Sequence, residues 1–221
     1  MGGEGEDGAG PPSVAEGDVR VLDLFAGTGS ATAAFREAGH EVVRVELDRQ
    51  HEAEFHYDIG LLTAADLPGP WDFIWASPPC QGFSVASIGR YWTASGVPKH
   101  PVSRRAIALV EHTLRFIADL APRYWLVENP RGMLRSIPLM VPYERRTVTY
   151  CQYGDERMKP TDLWGVMPVG WTPKPPCKNG ASCHVAAPRG SKTGTQGRKG
   201  AVDRSRVPYD LSREICQAVT P

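Results

Sequence analysis

An α/β fold, doubly wound around a mainly parallel sheet, is predicted by three observations. Short apolar runs alternate with segments of helical periodicity, the first run ends in a glycine turn that opens a helix, and the unusual polar clusters lie just after apolar runs. Ligands collect at those strand ends in folds of this kind. With 221 residues and 24.2 kDa, the chain is the size of one ordinary domain.

The elements follow in order. Residues 1–17 are Gly-rich and acidic without periodicity and read as a disordered tail. Val19 to Phe25 is an apolar strand that runs into Ala26-Gly27-Thr28-Gly29-Ser30, and Ala31 to Ala38 reads as helix. Glu41 to Leu47 is a second strand, with Glu46 and Asp48 at its end. Trp71 to Ala76 is a third, Tyr124 to Val127 a fourth and Arg146 to Tyr150 a fifth. In Ser103 to Leu120, Ile107, Val110, Leu114, Ile117 and Leu120 recur at helical spacing. Residues 18–168 are thus expected to form the main domain. Periodicity then dissolves into Pro, Gly, Lys and Ser over 169–203, and residues 204–221 return to the domain with a helix after Pro208.

Composition narrows the function. Formal net charge is +0, so overall charge does not announce a nucleic-acid partner. The segment from Trp171 to Arg206, however, carries Lys174, Lys178, Arg189, Lys192, Arg198, Lys199, Arg204 and Arg206 against Asp203, a local basic footprint. No apolar run approaches membrane length, and a cytoplasmic protein is expected. Five cysteines at irregular spacing do not form a disulfide framework.

Three clusters carry chemistry. In Asp23-Leu24-Phe25-Ala26-Gly27-Thr28-Gly29-Ser30, Gly27 and Gly29 let a ligand approach the backbone, and Glu46 is placed to accept both hydroxyls of a ribose. With neither a third glycine in dinucleotide spacing nor a Lys-Ser/Thr after the turn, an adenosine without phosphates fits better than NAD or a nucleoside triphosphate. Ser77-Pro78-Pro79-Cys80 holds a thiol at a strand end on a backbone stiffened by proline, as a nucleophile requires. Glu128-Asn129-Pro130 brings a carboxylate to the same sheet edge.

These clusters, with Tyr57-Asp58-Ile59 and the run Pro78-Pro79-Cys80-Gln81-Gly82-Phe83-Ser84, occur in the order and at roughly the spacing of the cytosine-5 DNA methyltransferase family, which the chain resembles from Val19 to about Gly165 and again over Val207 to Val219. The resemblance implies the sheet of S-adenosylmethionine-dependent methyltransferases. It also implies methyl transfer to carbon 5 of a flipped-out cytosine in DNA through a covalent adduct of Cys80, with Glu128 at ring nitrogen 3 and Asn129 orienting the Cys80 loop. Asp23, Phe25, Ala26, Gly27, Gly29, Glu46, Asp58 and Pro79 would hold S-adenosylmethionine. Gln81, Ser84 and Arg90 would meet DNA from a mobile loop spanning Gln81 to His100, and Lys192, Arg198 and Lys199 would contact phosphates.

The departures are specific. Where the family has Gln-x-Arg-x-Arg after a Tyr-Gly, Tyr153-Gly154 is followed by Asp155-Glu156-Arg157-Met158-Lys159, so Arg157 or Lys159 is assigned the work near the base. Arg204-Ser205 replaces Gly-Asn before Val207-Pro208, and the target recognition domain shrinks to the basic segment, as in small phage-encoded members. No metal is expected: Cys177, Cys183 and His184 could serve zinc with a fourth ligand such as Cys151, but their irregular spacing favours unpaired loop cysteines. The same chemistry on RNA and a catalytically inactive nucleic-acid-binding relative are the alternatives.

Overall fold

The computed structural model describes residues 17–186 and 200–220. Six strands form one sheet in the order β2-β1-β3-β4-β6-β5: β1 (Arg20–Leu24), β2 (Glu41–Val45), β3 (Phe73–Ala76), β4 (Tyr124–Pro130), β5 (Glu144–Thr149) and β6 (Pro160–Val166). β1 pairs in parallel with β2 on one side and β3 on the other, and β3 pairs in parallel with β4. From β1 the chain therefore winds first one way and then the other, which leaves a crevice at the carboxyl ends of β1 and its neighbours.

Strict alternation along the buried strands feeds two cores. Leu22, Leu24, Ile74 and Ala76 face one layer with Val110, Leu114 and Ile117 of the long helix α3 (Pro101–Leu120). Val21, Phe73 and Trp75 face the other, with Phe35 of α1 (Ala33–Glu37) and Leu211 and Ile215 of α5 (Tyr209–Val219). Period-2 strands between helices of period 3.6 explain why both faces are apolar. The other helices, α2 (Ile88–Tyr91) and α4 (Ala201–Ser205), are short.

One expectation needs correction: the fourth strand extends past Val127, because a sixth strand pairs with it. β6 does not read as a strand, because it opens on Pro160 and contains Asp162 and Gly165; the sheet accommodates each. Asp162 is buried but accepts from Arg135 Nε at 2.9 Å and Thr147 Oγ1 at 2.6 Å, and Gly165 (φ 146°) sits where a Cβ would come within 2.0 Å of the Trp125 carbonyl. β6 runs antiparallel to β4 and to β5, and this pairing extends β4 beyond the expected Val127, through Glu128 opposite Leu163 and Asn129 opposite Asp162. The segment 81–100, expected as a mobile loop, is packed in this structure. Two 3-10 turns, α2 and the buried Trp92, whose Nε1 donates to the Gly82 carbonyl at 2.8 Å, pack this segment onto the core in this structure.

Candidate active site

The glycine turn after β1 is built from left-handed residues. Phe25 (φ 60°), Gly27 (φ 52°) and Gly29 (φ 68°) alternate around it, and Phe25 is a side-chain-bearing residue in a region that disfavours one. Gly29 N donates to the Ala26 carbonyl at 2.8 Å to close the turn. Glu46, just past β2, accepts from Gly27 N at 2.8 Å and from Asp48 N at 3.0 Å, which fixes its carboxylate beside the turn with lone pairs to spare. A Cβ built on Gly27 would project into open space, so the turn presents bare backbone to a ligand. These residues fit a ribose-bearing cofactor.

Asp23 does not lie in that surface. It is completely buried and accepts from Thr32 Oγ1 at 2.7 Å, clamping the end of β1 to the entrance of α1. Burial drives its carboxyl pKa up to about 7 despite the Thr32 hydrogen bond and the Arg44 charge. Its assignment to cofactor binding is corrected to bracing the turn from behind. Asp58 is exposed and accepts from Gly60 N at 2.9 Å. From the far end of the chain, Val207 N donates to Ser30 Oγ at 2.9 Å, so the returning segment docks where the turn becomes helix.

Adjacent parallel strands bring the thiol and carboxylate together. Ala76, at the end of β3, pairs with Val127 of β4, one residue before Glu128. Beyond β3 the chain turns at Pro78-Pro79 into a 3-10 turn, Cys80–Gly82, and Asn129 Nδ2 donates to the Pro78 carbonyl at 2.9 Å, tying that turn to β4. Cys80 is half-buried and Glu128 buried. Burial and the Glu128 charge push the Cys80 thiol above its usual range, while the charges of Lys159 and Arg204 pull it back. Behind the turn, a cleft of about 210 Å³ separates Pro78, Pro79 and Gln81 from Val102, Arg105 and Ala106 of α3.

A residue without a sequence signal completes the group. Tyr150 follows β5, is fully buried, and its hydroxyl donates to Glu128 Oε1 at 2.9 Å. Burial and the Glu128 charge keep the phenol protonated, well above its ordinary range. Lys159 Nζ lies 4.4 Å from the centre of the Tyr150 ring and donates to the Arg204 carbonyl at 3.1 Å. Burial lowers the Lys159 pKa, and the Glu128 charge opposes that.

The choice left open between Arg157 and Lys159 is narrowed by geometry. Arg157 is buried and bound to Asp155, with Nε 2.8 Å from Oδ1, and it donates onward to the Asp203 carbonyl at 3.1 Å. It anchors the returning segment. Lys159, with Arg204, is a cation whose charge acts on Cys80. Of the residues expected at DNA, Gln81 and Arg90 are exposed and Ser84 is half-buried, bridged to Gly132. Lys192, Arg198 and Lys199 lie outside the described residues. Lys174 is held by Glu214 at 3.0 Å. The segment after β6 packs against the domain: Trp171 is buried, Lys174 N donates to Tyr153 Oη at 2.9 Å, and Cys177 N donates to Thr149 Oγ1 at 2.9 Å. Against the expectation of scattered loop cysteines, Cys177, Cys183 and His184 converge there on Cys151.

Comparison with known proteins agrees with this geometry. Residues 19–137 match the family model described as C-5 cytosine-specific DNA methylase. The chain is 32% identical over 220 residues to a probable DNA (cytosine-5)-methyltransferase of Frog virus 3 (isolate Goorha), covering 89% of this chain and 98% of the viral protein. It is 27% identical over 126 residues to the type II methyltransferase M.FnuDI of Fusobacterium nucleatum, covering 52% of this chain but 33% of the bacterial enzyme. The solved structure of the Entamoeba histolytica methyltransferase EhMeth superposes with a TM-score of 0.52 at 10% identity, over 73% of this chain and 57% of that one, and so shares the fold. The family match spans the glycine turn, Cys80 and Glu128, and the viral relative matches nearly end to end: the chain belongs to the C-5 cytosine-specific DNA methylase family.

Proposed function

We propose that this chain methylates carbon 5 of cytosine in DNA through a transient bond between the Cys80 sulfur and carbon 6 of the base. The observation that carries the proposal is the coupling of Cys80 with Glu128 across adjacent strand ends, with Lys159 biasing the thiol. Carbon 5 of cytosine is a weak nucleophile, so the site must first raise its electron density.

Cys80 passes its proton to the Glu128 carboxylate, which is held by Tyr150, and adds to carbon 6 while Glu128 hands a proton on to ring nitrogen 3. The electron pair displaced from the 5,6 double bond then makes carbon 5 enamine-like. S-adenosylmethionine, when bound at Phe25, Gly27 and Glu46, supplies the electrophilic methyl group. Loss of the carbon-5 proton to solvent restores the double bond and expels the Cys80 thiolate, and nitrogen 3 returns its proton to Glu128. A cytosine within duplex DNA must leave the stack to reach this edge, which costs a few kcal/mol.

The test is incubation with methyl-labelled S-adenosylmethionine and either unmethylated genomic DNA or total RNA, followed by nucleoside analysis. Label in 5-methyldeoxycytidine, absent with Cys80→Ala, is the expected outcome. Label confined to RNA would overturn the substrate assignment, and no label in either would favour a relative that has kept the fold without catalysis.

A further inference from the structure

We propose that Cys151, Cys177, Cys183 and His184 form a structural zinc site that fastens the basic segment to the catalytic domain. The ligand atoms of these four residues all lie within 4.8 Å of one another. Cys177 Sγ is 3.2 Å from Cys183 Sγ, and His184 Nδ1 is 3.5 Å from each of those sulfurs. Around a tetrahedral zinc, bond lengths of about 2.3 Å to sulfur and about 2.0 Å to nitrogen set ligand separations of roughly 3.5 to 3.8 Å. The cluster is close to that size without an ion to gather it.

Its chemistry selects the metal class. Three thiolates and an imidazole suit a borderline-soft, tetrahedral divalent ion, and they exclude calcium and magnesium, which take oxygen ligands. Four protein ligands leave no open position, so the site is structural and not catalytic. Gln152 Nε2, 3.5 Å from Cys183 Sγ, can donate to the bound thiolate, the kind of outer contact that steadies a metal ligand. Two contacts belong to the metal-free form: the Cys177 thiol donates to the Lys178 carbonyl at 3.2 Å, and Gly180 N donates to His184 Nε2 at 3.3 Å, which requires the ring proton on Nδ1. Metal on sulfur and on Nδ1 would open both, since the thiol loses its proton and Nε2 then carries one. A Cys177–Cys183 disulfide is the competing reading, and 3.2 Å is well beyond a bond length of about 2.05 Å.

The topology shows what the ion would do. Cys151 lies in the 3-10 turn after β5, next to Tyr150, whereas the other three ligands come from the loop after β6. Metal binding would join a loop to the turn that carries the tyrosine on Glu128. The irregular ligand spacing reflects an assembly across space. Cofactor binding at β1 and β2 lies in the other half of the sheet and should be indifferent to the ion.

The test is metal analysis of the full chain purified without chelator from zinc-supplemented cells. About one zinc per chain is expected, as four ligands define one ion. Cys177→Ser/Cys183→Ser should lose it, and Cys216→Ser, in α5, should retain it. Cobalt exchanged into the wild-type chain should give thiolate charge-transfer and tetrahedral d–d absorption bands, a readout that does not require a folded variant. Stripping the metal should lower the thermal midpoint while leaving S-adenosylmethionine affinity within about twofold of its starting value, a difference of about 0.4 kcal/mol. Substoichiometric metal with no cobalt spectrum, or a Cys177–Cys183 disulfide found in the native protein by mass spectrometry, would overturn the proposal. None of these readings depends on methyl transfer.

Discussion

The Lys159 charge bears on the reactivity proposed for Cys80. Burial and Glu128 hold the thiol protonated at neutral pH, and the Lys159 charge is the largest influence of opposite sign. The thiolate fraction, and with it single-turnover methyl transfer, should therefore rise with pH through the neutral and mildly alkaline range. Removing a cation raises the thiol pKa further, so Lys159→Ala should move the rising limb to higher pH, and Lys159→Arg should restore part of the shift. An unmoved limb in Lys159→Ala would transfer that role to Arg204. Tyr150→Phe removes one hydrogen bond from buried Glu128 and should lower kcat by about 10- to 150-fold, the effect of about 1.5–3 kcal/mol for a hydrogen bond to a charged group, with cofactor affinity unchanged. Tyr150 was not legible in the sequence, because an aromatic after a β-strand most often fills a core. Asp23 makes a different prediction. Its folded pKa of about 7 lies above its unfolded value of 3.8, so the stabilisation from this group is complete below the unfolded value and is lost as pH rises towards 7. Asp23→Asn should flatten that decline in a series of denaturant midpoints between pH 4 and 7. A decline as steep as in wild type would place the titrating group elsewhere.

At the scale of elements, the site depends on how tightly the Cys80 turn rests on α3. A Cβ on Gly82 would fall 2.5 Å from Ala106 Cβ, so Gly82→Ala must push the turn off the helix. The cost expected for such overpacking is about 1–3 kcal/mol, and thermal unfolding would register it together with slower transfer; wild-type values for both would show that the turn can yield. The parallel half of the sheet and α3 were legible because their apolar periodicity is strong and nothing interrupts it. β6 was not, since Pro160, Asp162 and Gly165 each contradict a strand when read locally, and only the Arg135 and Thr147 partners and the close approach of Trp125 explain them. The motifs after β1 and β3 fixed the positions of the glycine turn and Cys80, whereas the roles of Arg157 and Lys159 depended on the path of a segment far away in sequence. Arg157 faces the carbonyl of Asp203, a contact that spacing could not foretell.

For the whole molecule, a net charge of +0 implies that attraction to DNA is local. Among the described residues of the segment after β6, Lys174 is already paired with Glu214 and Lys178 is exposed, and further phosphate contacts are expected from Lys192, Arg198 and Lys199. Neutralising all three should reduce the slope of log affinity against log salt by up to about 3, with little change in preference among DNA sequences. An unchanged slope would place the DNA surface on another face. The central claim, that Cys80 bonds to the base, has a direct test. Duplex DNA with 5-fluorocytosine at a methylated site cannot lose its carbon-5 substituent as a proton, so the adduct should accumulate once the methyl group has been transferred. A complex stable in denaturant, requiring both Cys80 and S-adenosylmethionine and mapped by peptide mass to Cys80, is the predicted result. Efficient methylation of normal DNA without a trapped complex, or a complex that persists in Cys80→Ala, would contradict the account.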